Sequence, residues 1–342
     1  MIEVIDCPLP ATFQDAGRPG YRQLGVPLSG ALDPEWLAIA NALVGNPAPT
    51  VALEMRLLGP KLRARTPLSI ALAGEFSARI EDATGQSRPA ANWCSHTLAA
   101  GDLLQIGSLR SAIGYLAVRG GFDLPVVLGS RSTYARAGLG GFDGRALRAG
   151  DKVKIGAPQG LPSVTGATGI SVHLPDAPVL RAGPLRVIAG PQRDHFTDAT
   201  WQQFVGSEFT VSREADRMGL RLDGPRLEHA RGADIVSDGV TPGAIQVPGD
   251  GRPIVLLADC QTVGGYPKIA TVIGADLPRL GHALPGEALR FMAVTQAEAL
   301  AARCEAASAL AAIIASIAVL GPTLDLDALY SANLIDGVID AS

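Results

Sequence analysis

Ala100-Gly101-Asp102-Leu103-Leu104-Gln105-Ile106 joins a turn to an alternating strand, and this pattern decides the fold class. It returns as Ala149-Gly150-Asp151-Lys152-Val153-Lys154-Ile155, and a looser copy is Pro285-Gly286-Glu287-Ala288-Leu289-Arg290-Phe291. In each copy a glycine that tolerates positive φ turns the chain, and apolar side chains then alternate with other residues. Alternation with a period of two after a tight turn predicts antiparallel strands. The three copies therefore predict a mainly β chain of barrels or sandwiches, with a duplicated unit as one possibility.

The amino-acid composition agrees with a mainly β fold and argues against a nucleic acid partner. Forty glycines and 25 prolines among 342 residues indicate many turns and disfavour a helical bundle, and 47% hydrophobic residues suffice for buried cores. The net charge is −4 and 5% of the residues are aromatic. A nucleic-acid-binding protein would carry a basic surface or aromatic stacking platforms, so we expect no nucleic acid partner.

Strand-like sequence is interrupted between Gly156 and Gly183, where glycine and proline recur and no periodicity persists. We therefore predict an N-terminal domain over residues 1–160, a linker over 161–183, a C-terminal domain over 184–295 and a helical extension over 296–342. Helices are few. Asp33 followed by Pro34 and an apolar run predicts one helix, which Gly45 ends.

The chain offers no sign of a membrane or secretory destination. Its first ten residues contain Glu3 and Asp6 and lack the basic and apolar regions of a signal peptide. The uncharged run 306–324 is mostly alanine and is interrupted by Gly321-Pro322, so we do not expect it to span a bilayer. The sequence predicts a cytoplasmic protein without a membrane partner.

Well-known catalytic motifs are absent from the sequence. There is no phosphate-binding G-x-x-x-x-G-K-[ST] loop, no H-E-x-x-H, no G-x-S-x-G and no Met-Lys-Met biotinylation site. The five histidines are scattered, and the four cysteines lack metal-ligand spacing. We therefore expect no metal, and any biotin would be carried on a separate chain.

Two glycine-rich stretches in the first half combine polar side chains with flexible backbone. The stretch 13–34 places polar residues between glycines, which favours close contact with a ligand, although two tight turns around a helix cap would give the same pattern. Seven glycines and five arginines share residues 119–148. Glycine-rich turns with arginine forks suit carboxylate or phosphate oxygens. A solvated loop whose arginines pair with Asp123 and Asp143 is an equally good interpretation.

A third stretch, 243–268, favours a binding function more strongly. The apolar run Ile254-Val255-Leu256-Leu257-Ala258 predicts a buried strand that delivers Asp259 to Thr262 at its end, and Gly264-Gly265-Tyr266-Pro267 follows. A turn with a purely structural role would need only Gly264 and Gly265, so the polar residues around them favour a binding function. The residues alone thus predict a two-domain β protein with polar loops suited to a small anionic or amide ligand, and they do not define a reaction.

The same stretches contain the motifs of a known family, which are Gln14-Asp15-Ala16-Gly17-Arg18-Pro19-Gly20, Ser29-Gly30-Ala31-Leu32-Asp33-Pro34, Leu43-Val44-Gly45-Asn46, Leu53-Glu54, Gly129-Ser130-Arg131-Ser132-Thr133, Asp216-Arg217-Met218-Gly219, Gly243-Ala244-Ile245-Gln246-Val247-Pro248 and Asp259 to Pro267. Through them the chain resembles the C subunit of bacterial 5-oxoprolinase, also called allophanate hydrolase subunit 2. It is also similar to the matching half of the carboxyltransferase region of urea carboxylase. The resemblance runs in order from about residue 10 to about residue 295.

The resemblance implies two tandem cyclophilin-like β-barrel domains and a heteromeric enzyme. In the 5-oxoprolinase system this chain would act with a companion B subunit of the same family and a third subunit. Together they would carry out the ATP-dependent opening of 5-oxoproline to L-glutamate, and this chain would be inactive alone. One alternative is the carboxyltransferase half of a biotin-dependent urea or amide carboxylase, with biotin on a separate chain. Another is a regulatory binding protein that antagonises a kinase inhibitor.

The family motifs supply the positions of the candidate site residues, and chemistry supplies their hypothetical roles. Arginine forks would bind carboxylate or phosphoryl oxygens, acids and amides would orient the substrate amide, and Tyr266 would close over it. We expect these residues to converge on one cavity that binds a small amide or lactam. The catalytic candidates are Asp15, Arg131, Arg217, Asp259 and Gln261. The substrate-binding candidates are Gln14, Arg18, Ser132, Gln246, Thr262, Gly264, Gly265 and Tyr266.

Overall fold

The computed structural model describes residues 1–158 and 171–320, which are 37% strand and 19% helix. The strands of the first half and the strand after it are β1 (Ile2–Asp6), β2 (Ala11–Gln14), β3 (Ala52–Leu58), β4 (Lys61–Ala64), β5 (Leu68–Ala73), β6 (Phe76–Glu81), β7 (Ser87–Pro89), β8 (Cys94–Leu98), β9 (Leu103–Val118), β10 (Lys152–Val153) and β11 (Ser171–His173). Those of the second half are β12 (Leu185–Ala189), β13 (Glu208–Ala215), β14 (Gly219–Asp223), β15 (Asp238–Gly239), β16 (Ala244–Gln246), β17 (Ile254–Leu256), β18 (Val263–Gly264), β19 (Lys268–Val272), β20 (Ala288–Ala293) and β21 (Ala318–Leu320). The helices are α1 (Pro34–Leu43), α2 (Asp198–Gly206), α3 (Leu277–His282) and α4 (Gln296–Ala315).

The first half is a twelve-stranded sheet organised by β9. This strand begins at the quoted Leu103 and pairs antiparallel with β3, β4, β5 and β6 along its sixteen residues. The second copy of the pattern forms β10, which pairs with β1. The turn-plus-strand pattern therefore marks strands as predicted, and β9 continues well beyond the predicted segment because apolar residues persist to Val118.

The second half is a closed barrel in the order β12-β19-β16-β17-β14-β13-β20. A parallel pair closes it, in which Leu185 of β12 lies opposite Phe291 of β20. Closure leaves no free sheet edge in the barrel, and its interior is filled by aromatic and branched side chains. The predicted mainly β fold class is confirmed.

Helix α1 forms as the sequence predicts, because Asp33 caps its first turn. The Asp33 carboxylate accepts hydrogen bonds from the backbone N–H groups of Glu35 (2.9 Å) and Trp36 (3.0 Å). At the other end of the chain, α4 begins at a capping box made by Thr295 and Glu298. No helix in the described ranges has the length and apolar character that crossing a membrane requires.

Two strands lie outside the predicted domains. Strand β11 (Ser171–His173) falls in the predicted linker, yet it pairs with β8. Strand β21 (Ala318–Leu320) falls in the predicted helical extension, and it pairs with β11. The chain after α4 thus returns to the first sheet, a long-range pairing that no local pattern announces. Residues 161–170 of the predicted linker and 321–342 of the extension lie outside the described residues, and the domain boundaries stay predictions.

The two halves share one hydrophobic cluster, in which Trp36 and Ile113 of the first half join Leu280 of α3. Close approach at this point requires glycine at position 281, because a Cβ there would lie 2.9 Å from the Leu32 Cβ. Next to it, the buried His282 places Nε2 2.8 Å from an Asp33 carboxylate oxygen and its ring 4.2 Å from that of Trp36. His282 is therefore a contact between the halves.

Replacement of Phe204 in α2 should reveal how strongly the barrel depends on its aromatic core. Its ring is fully buried and stacks on Phe291 with centroids 4.7 Å apart. We expect Phe204→Ala to lower the free energy of unfolding by about 3–5 kcal/mol, since it leaves a cavity. Chemical denaturation measures this, with Gln203→Ala on the exposed side of α2 as the control. Equal effects of the two changes would contradict the proposed packing.

Candidate functional site

The interface between the halves is centred on the guanidinium of Arg217, just before β14. Its Nε donates to Asp259 Oδ2 (2.9 Å), its Nη1 to Glu54 Oε1, and its Nη2 to the Gly30 carbonyl (2.6 Å) and Asp259 Oδ1 (3.3 Å). Four of its five N–H groups thus have acceptors, and these come from both halves. Arg217 therefore holds Asp259 in place relative to β3, and its predicted catalytic role stays a prediction.

Glu54 continues this network into the first half. Its Oε2 accepts hydrogen bonds from the Tyr115 hydroxyl (2.7 Å) and the Leu32 N–H (2.9 Å), and only 2% of the residue is exposed. Burial raises the pKa of Tyr115 well above its usual value, and the charges of Glu54 and Asp33 add to this effect. The hydroxyl consequently stays protonated and can donate to the carboxylate.

The charges in this network stabilise one another. Burial lowers the pKa of the Arg217 guanidinium, but Glu54 and Asp259 outweigh that effect and hold its pKa above the usual value. One arginine and two carboxylates give these three side chains together a formal charge of −1. A substrate amide N–H placed there would meet fixed acceptors that need no reorganisation.

Asp15 is the centre of a second cluster, within the first half. Its Oδ1 accepts from Ser130 Oγ (2.6 Å), from Ser132 Oγ and from the Gly17 N–H (2.8 Å), and its Oδ2 accepts from the Arg131 N–H (2.6 Å). The Arg131 side chain donates from Nε to the Leu124 carbonyl (3.0 Å). The Asp15 carboxylate therefore ties two glycine-rich loops together, and the resemblance-based catalytic role of Asp15 and Arg131 stays a prediction.

Arg18 links the two clusters and is unusual, because its side chain is completely buried. Its Nη2 donates to the Ser132 carbonyl, while Nε and Nη1 have no hydrogen-bond partner among the described residues. Burial lowers the pKa of Arg18, and the nearby charges of Asp15 and Asp259 partly offset this. Gln14 is equally buried, and its Nε2 donates to the Thr133 carbonyl (3.2 Å).

A third cluster lies in the loops of the barrel. Gln261 Nε2 lies 3.5 Å from Gln246 Oε1, and Gln246 Nε2 lies 3.5 Å from the Tyr266 carbonyl. Gly264 packs against this amide, because a Cβ there would lie 2.5 Å from the Gln246 amide nitrogen and would displace the Gln246 side chain. Thr262 and Gly265 are half-buried and Tyr266 is exposed.

The predicted residues thus occupy three neighbouring clusters, and each borders a different cavity. Asp15 and Arg131 line a cavity of about 380 Å³, Arg217 and Asp259 line the cleft between the halves, of about 480 Å³, and Thr262 lines a third cavity of about 460 Å³. The candidate residues therefore do not line one cavity: the first cavity lies within the first half, and the other two are lined by residues of both halves. Arg22 connects the last of these to the first half, because its Nη2 donates to the Gln261 carbonyl (3.3 Å).

Sequence reasoning missed Glu54, Tyr115 and Arg22 as interface residues. Glu54 carried a usable signal, since it is the charged residue in the otherwise apolar Val51-Ala52-Leu53-Glu54-Met55, and a charge buried in such a strand needs a partner. Tyr115 and Arg22 gave no comparable signal. In the described part of the chain, no group of His, Cys, Asp and Glu is arranged to hold a metal ion.

Neutralising Glu54 tests the importance of the buried network. We expect Glu54→Gln to lower the free energy of unfolding by about 3–5 kcal/mol, because it removes one partner of a buried charge pair. The matched control is Glu208→Gln, whose exposed pair with Arg290 should contribute only about 0–1 kcal/mol. Chemical denaturation of both variants measures the difference, and indistinguishable variants would show that the network does not stabilise the interface.

Comparisons with known proteins agree with this architecture. The chain is 37% identical to the C subunit of 5-oxoprolinase from Escherichia coli (strain K12) over 308 residues, which cover 89% of this chain and 94% of the relative. It is 33% identical to the urea amidolyase of Lachancea kluyveri, covering 83% of this chain and 16% of the relative.

A solved structure places the fold in the same group. The crystal structure of the K. lactis urea amidolyase matches with a TM-score of 0.82 and 29% identity, over 91% of this chain and 20% of that chain. Residues 24–293 match the family model for the carboxyltransferase domain, subdomain A and B. The chain therefore belongs to the carboxyltransferase domain family, together with the 5-oxoprolinase C subunit and the corresponding region of urea amidolyase.

Proposed function

We propose that this chain is one component of an ATP-dependent 5-oxoprolinase, which opens 5-oxoproline to L-glutamate together with companion subunits. The observation that supports this most is the Arg217 network, which holds Asp259 rigidly at a cleft between the two halves. The 5-oxoprolinase relative is matched along nearly its whole length, whereas urea amidolyase is matched over a small share of its own. The partners proposed are a B subunit of the same family and a third subunit.

The chemistry of lactam opening explains the need for ATP. The carbonyl carbon of a lactam is a weak electrophile. Transfer of the γ-phosphoryl group of ATP to the lactam oxygen activates this carbon and releases ADP. Water then adds to the carbon and the ring C–N bond breaks, which leaves an amine and an acyl phosphate. A second water releases phosphate and gives the carboxylate of glutamate.

The described residues would contribute orientation and charge to these steps. Asp259, held by Arg217, would accept a hydrogen bond from the lactam N–H and align the ring. Gln261, two residues along the chain from Asp259, would supply an amide group from the adjoining barrel cluster, supported there by Gln246. The buried Arg18, whose Nε and Nη1 have no hydrogen-bond partner among the described residues, would add positive potential near Asp259 during phosphoryl transfer.

A second candidate function is the carboxyltransferase half of a biotin-dependent urea or amide carboxylase. The family model and the urea amidolyase relatives favour it. Biotin that has already been carboxylated on its separate chain would supply the activated carboxyl group when bound and would leave as free biotin. The cleft offers an apolar surface on which the fused rings of biotin could pack, because Leu57, Met218 and Leu284 line it beside Asp259.

Reconstitution distinguishes the candidates. The purified chain is combined with the B subunit and the third subunit, and glutamate and ADP are measured in the presence of ATP and 5-oxoproline. Release of both in equal amounts supports the proposal. Biotin-dependent carboxylation of urea would support the second function instead, and binding of the B subunit without turnover of either substrate would indicate a regulatory module.

Truncation of Gln261 provides a test at the level of one residue. We expect Gln261→Ala to lower turnover of the reconstituted enzyme by about 10²-fold or more, the effect of losing one preorganised donor. Gln202→Ala, on the exposed surface of α2, is the matched control and should keep full activity. Full activity of Gln261→Ala in an assembled enzyme would remove Gln261 from the site.

A further inference from the structure

The cleft between the halves contains more arginine than the Arg217 network uses. Arg56 of β3 and Arg136, in the loop that follows β9, line it from the first half, and Arg213 of β13 lines it from the barrel. None of these residues belongs to the predicted site. Arg56 and Arg136 come from separate elements of the first half, and the docking of the barrel brings Arg213 to the same cleft.

Among the described residues these three arginines have no side-chain partners, whereas the carboxylates of the cleft do. No ion pair or side-chain hydrogen bond joins Arg56, Arg136 or Arg213 to any residue within 1–158 and 171–320. Glu54 and Asp259 are engaged by Arg217, and the third lining carboxylate, Asp216, accepts from the N–H groups of Met218 (2.7 Å) and Gly219 (3.2 Å).

The charge balance of the cleft is therefore positive. Four lining arginines face three lining carboxylates, which leaves one excess positive charge. Arg56 is half-buried, and burial lowers the pKa of its guanidinium while Glu54 offsets part of the effect. A partly desolvated cation without a direct partner is stabilised when an anion binds beside it.

The walls between the charges are apolar. Leu57, Met218 and Leu284 line the cleft, and Leu57 is half-exposed there. Leu57 also has a φ of +60°, a left-handed conformation that costs a residue with a branched side chain about 1–2 kcal/mol. This backbone conformation occurs where β3 loses its regular pairing with β9, between Arg56 and Leu58. Strain of this kind is concentrated at ligand sites.

We propose that this cleft binds a small organic monoanion, with its carboxylate at Arg56, Arg136 and Arg213 and its compact apolar body against Leu57 and Met218. One excess positive charge matches a carboxylate better than a doubly charged phosphate, and neutral urea offers no charge at all. The choice of a lactam acid as the ligand rests on the proposed function, whereas the existence of the anion site does not. Recognition of the carboxylate would select 5-oxoproline over urea.

The test measures binding to the isolated full chain by calorimetry, without companion subunits or ATP. The probes are 5-oxoproline, the neutral ring 2-pyrrolidinone and inorganic phosphate. We expect 5-oxoproline to bind at least about 10-fold more tightly than 2-pyrrolidinone, because charge-assisted hydrogen bonds contribute on this scale. The affinity should fall as salt is added.

Single substitutions assign the contact. Arg136→Gln and Arg213→Gln are surface changes and should each weaken binding of 5-oxoproline by about 5–10-fold or more, as should Arg56→Gln. Arg252→Gln, which removes an exposed arginine paired with Asp223 outside the cleft, is the control and should bind normally. If Arg56→Gln does not fold, the two surface variants still decide the question.

Three results would overturn the proposal. These are absence of 5-oxoproline binding, equal binding of 2-pyrrolidinone, and unchanged affinity in the arginine variants. Displacement of 5-oxoproline by an equal concentration of phosphate would overturn the assignment to a carboxylate. Because no turnover is measured, a reconstituted enzyme that releases no glutamate would refute the proposed function and leave the anion site standing.

Discussion

A buried positive charge at the interface of the two halves is the constraint on which the rest of the structure depends. Arg217 of the barrel is withdrawn from water, and carboxylates from both halves compensate its charge. The ion pair between Glu54 and Arg217 joins the two halves, and removing one partner of such a buried pair costs far more than removing one partner of an exposed pair. The contact between His282 and Asp33 and the close approach at Gly281 extend the same interface.

This constraint also organises the chemistry. A guanidinium with nearly all its donors engaged holds a carboxylate in place and has little capacity left to bind a substrate itself. Asp259 is therefore held in a fixed orientation at the cleft, and the arginines nearby that have no partner in the described part of the chain are available for an anion. Asp15 differs, because its oxygens already accept four hydrogen bonds that join loops of the first half.

Much of the fold was predictable because its signals are local. The cap at Asp33, the turn before β9 and the strand that precedes Asp259 each follow from neighbouring residues. The strand Ser171–His173 was not predictable, since it is three residues long and gains its partners from distant segments. For the site, family motifs located the polar loops, but they did not reveal that these loops border three cavities.

The sequence by itself determined the β class, the principal turns and caps, and the polar loops that carry the candidate residues, because each depends on φ preferences and periodicity within a few residues. Only the tertiary structure decided which loops meet. Glu54 and Arg217 are 163 residues apart, and Arg56, Arg136 and Arg213 lie on separate elements. Their juxtaposition follows from the docking of a barrel on a sheet, where buried charge and shared apolar surface must both be satisfied.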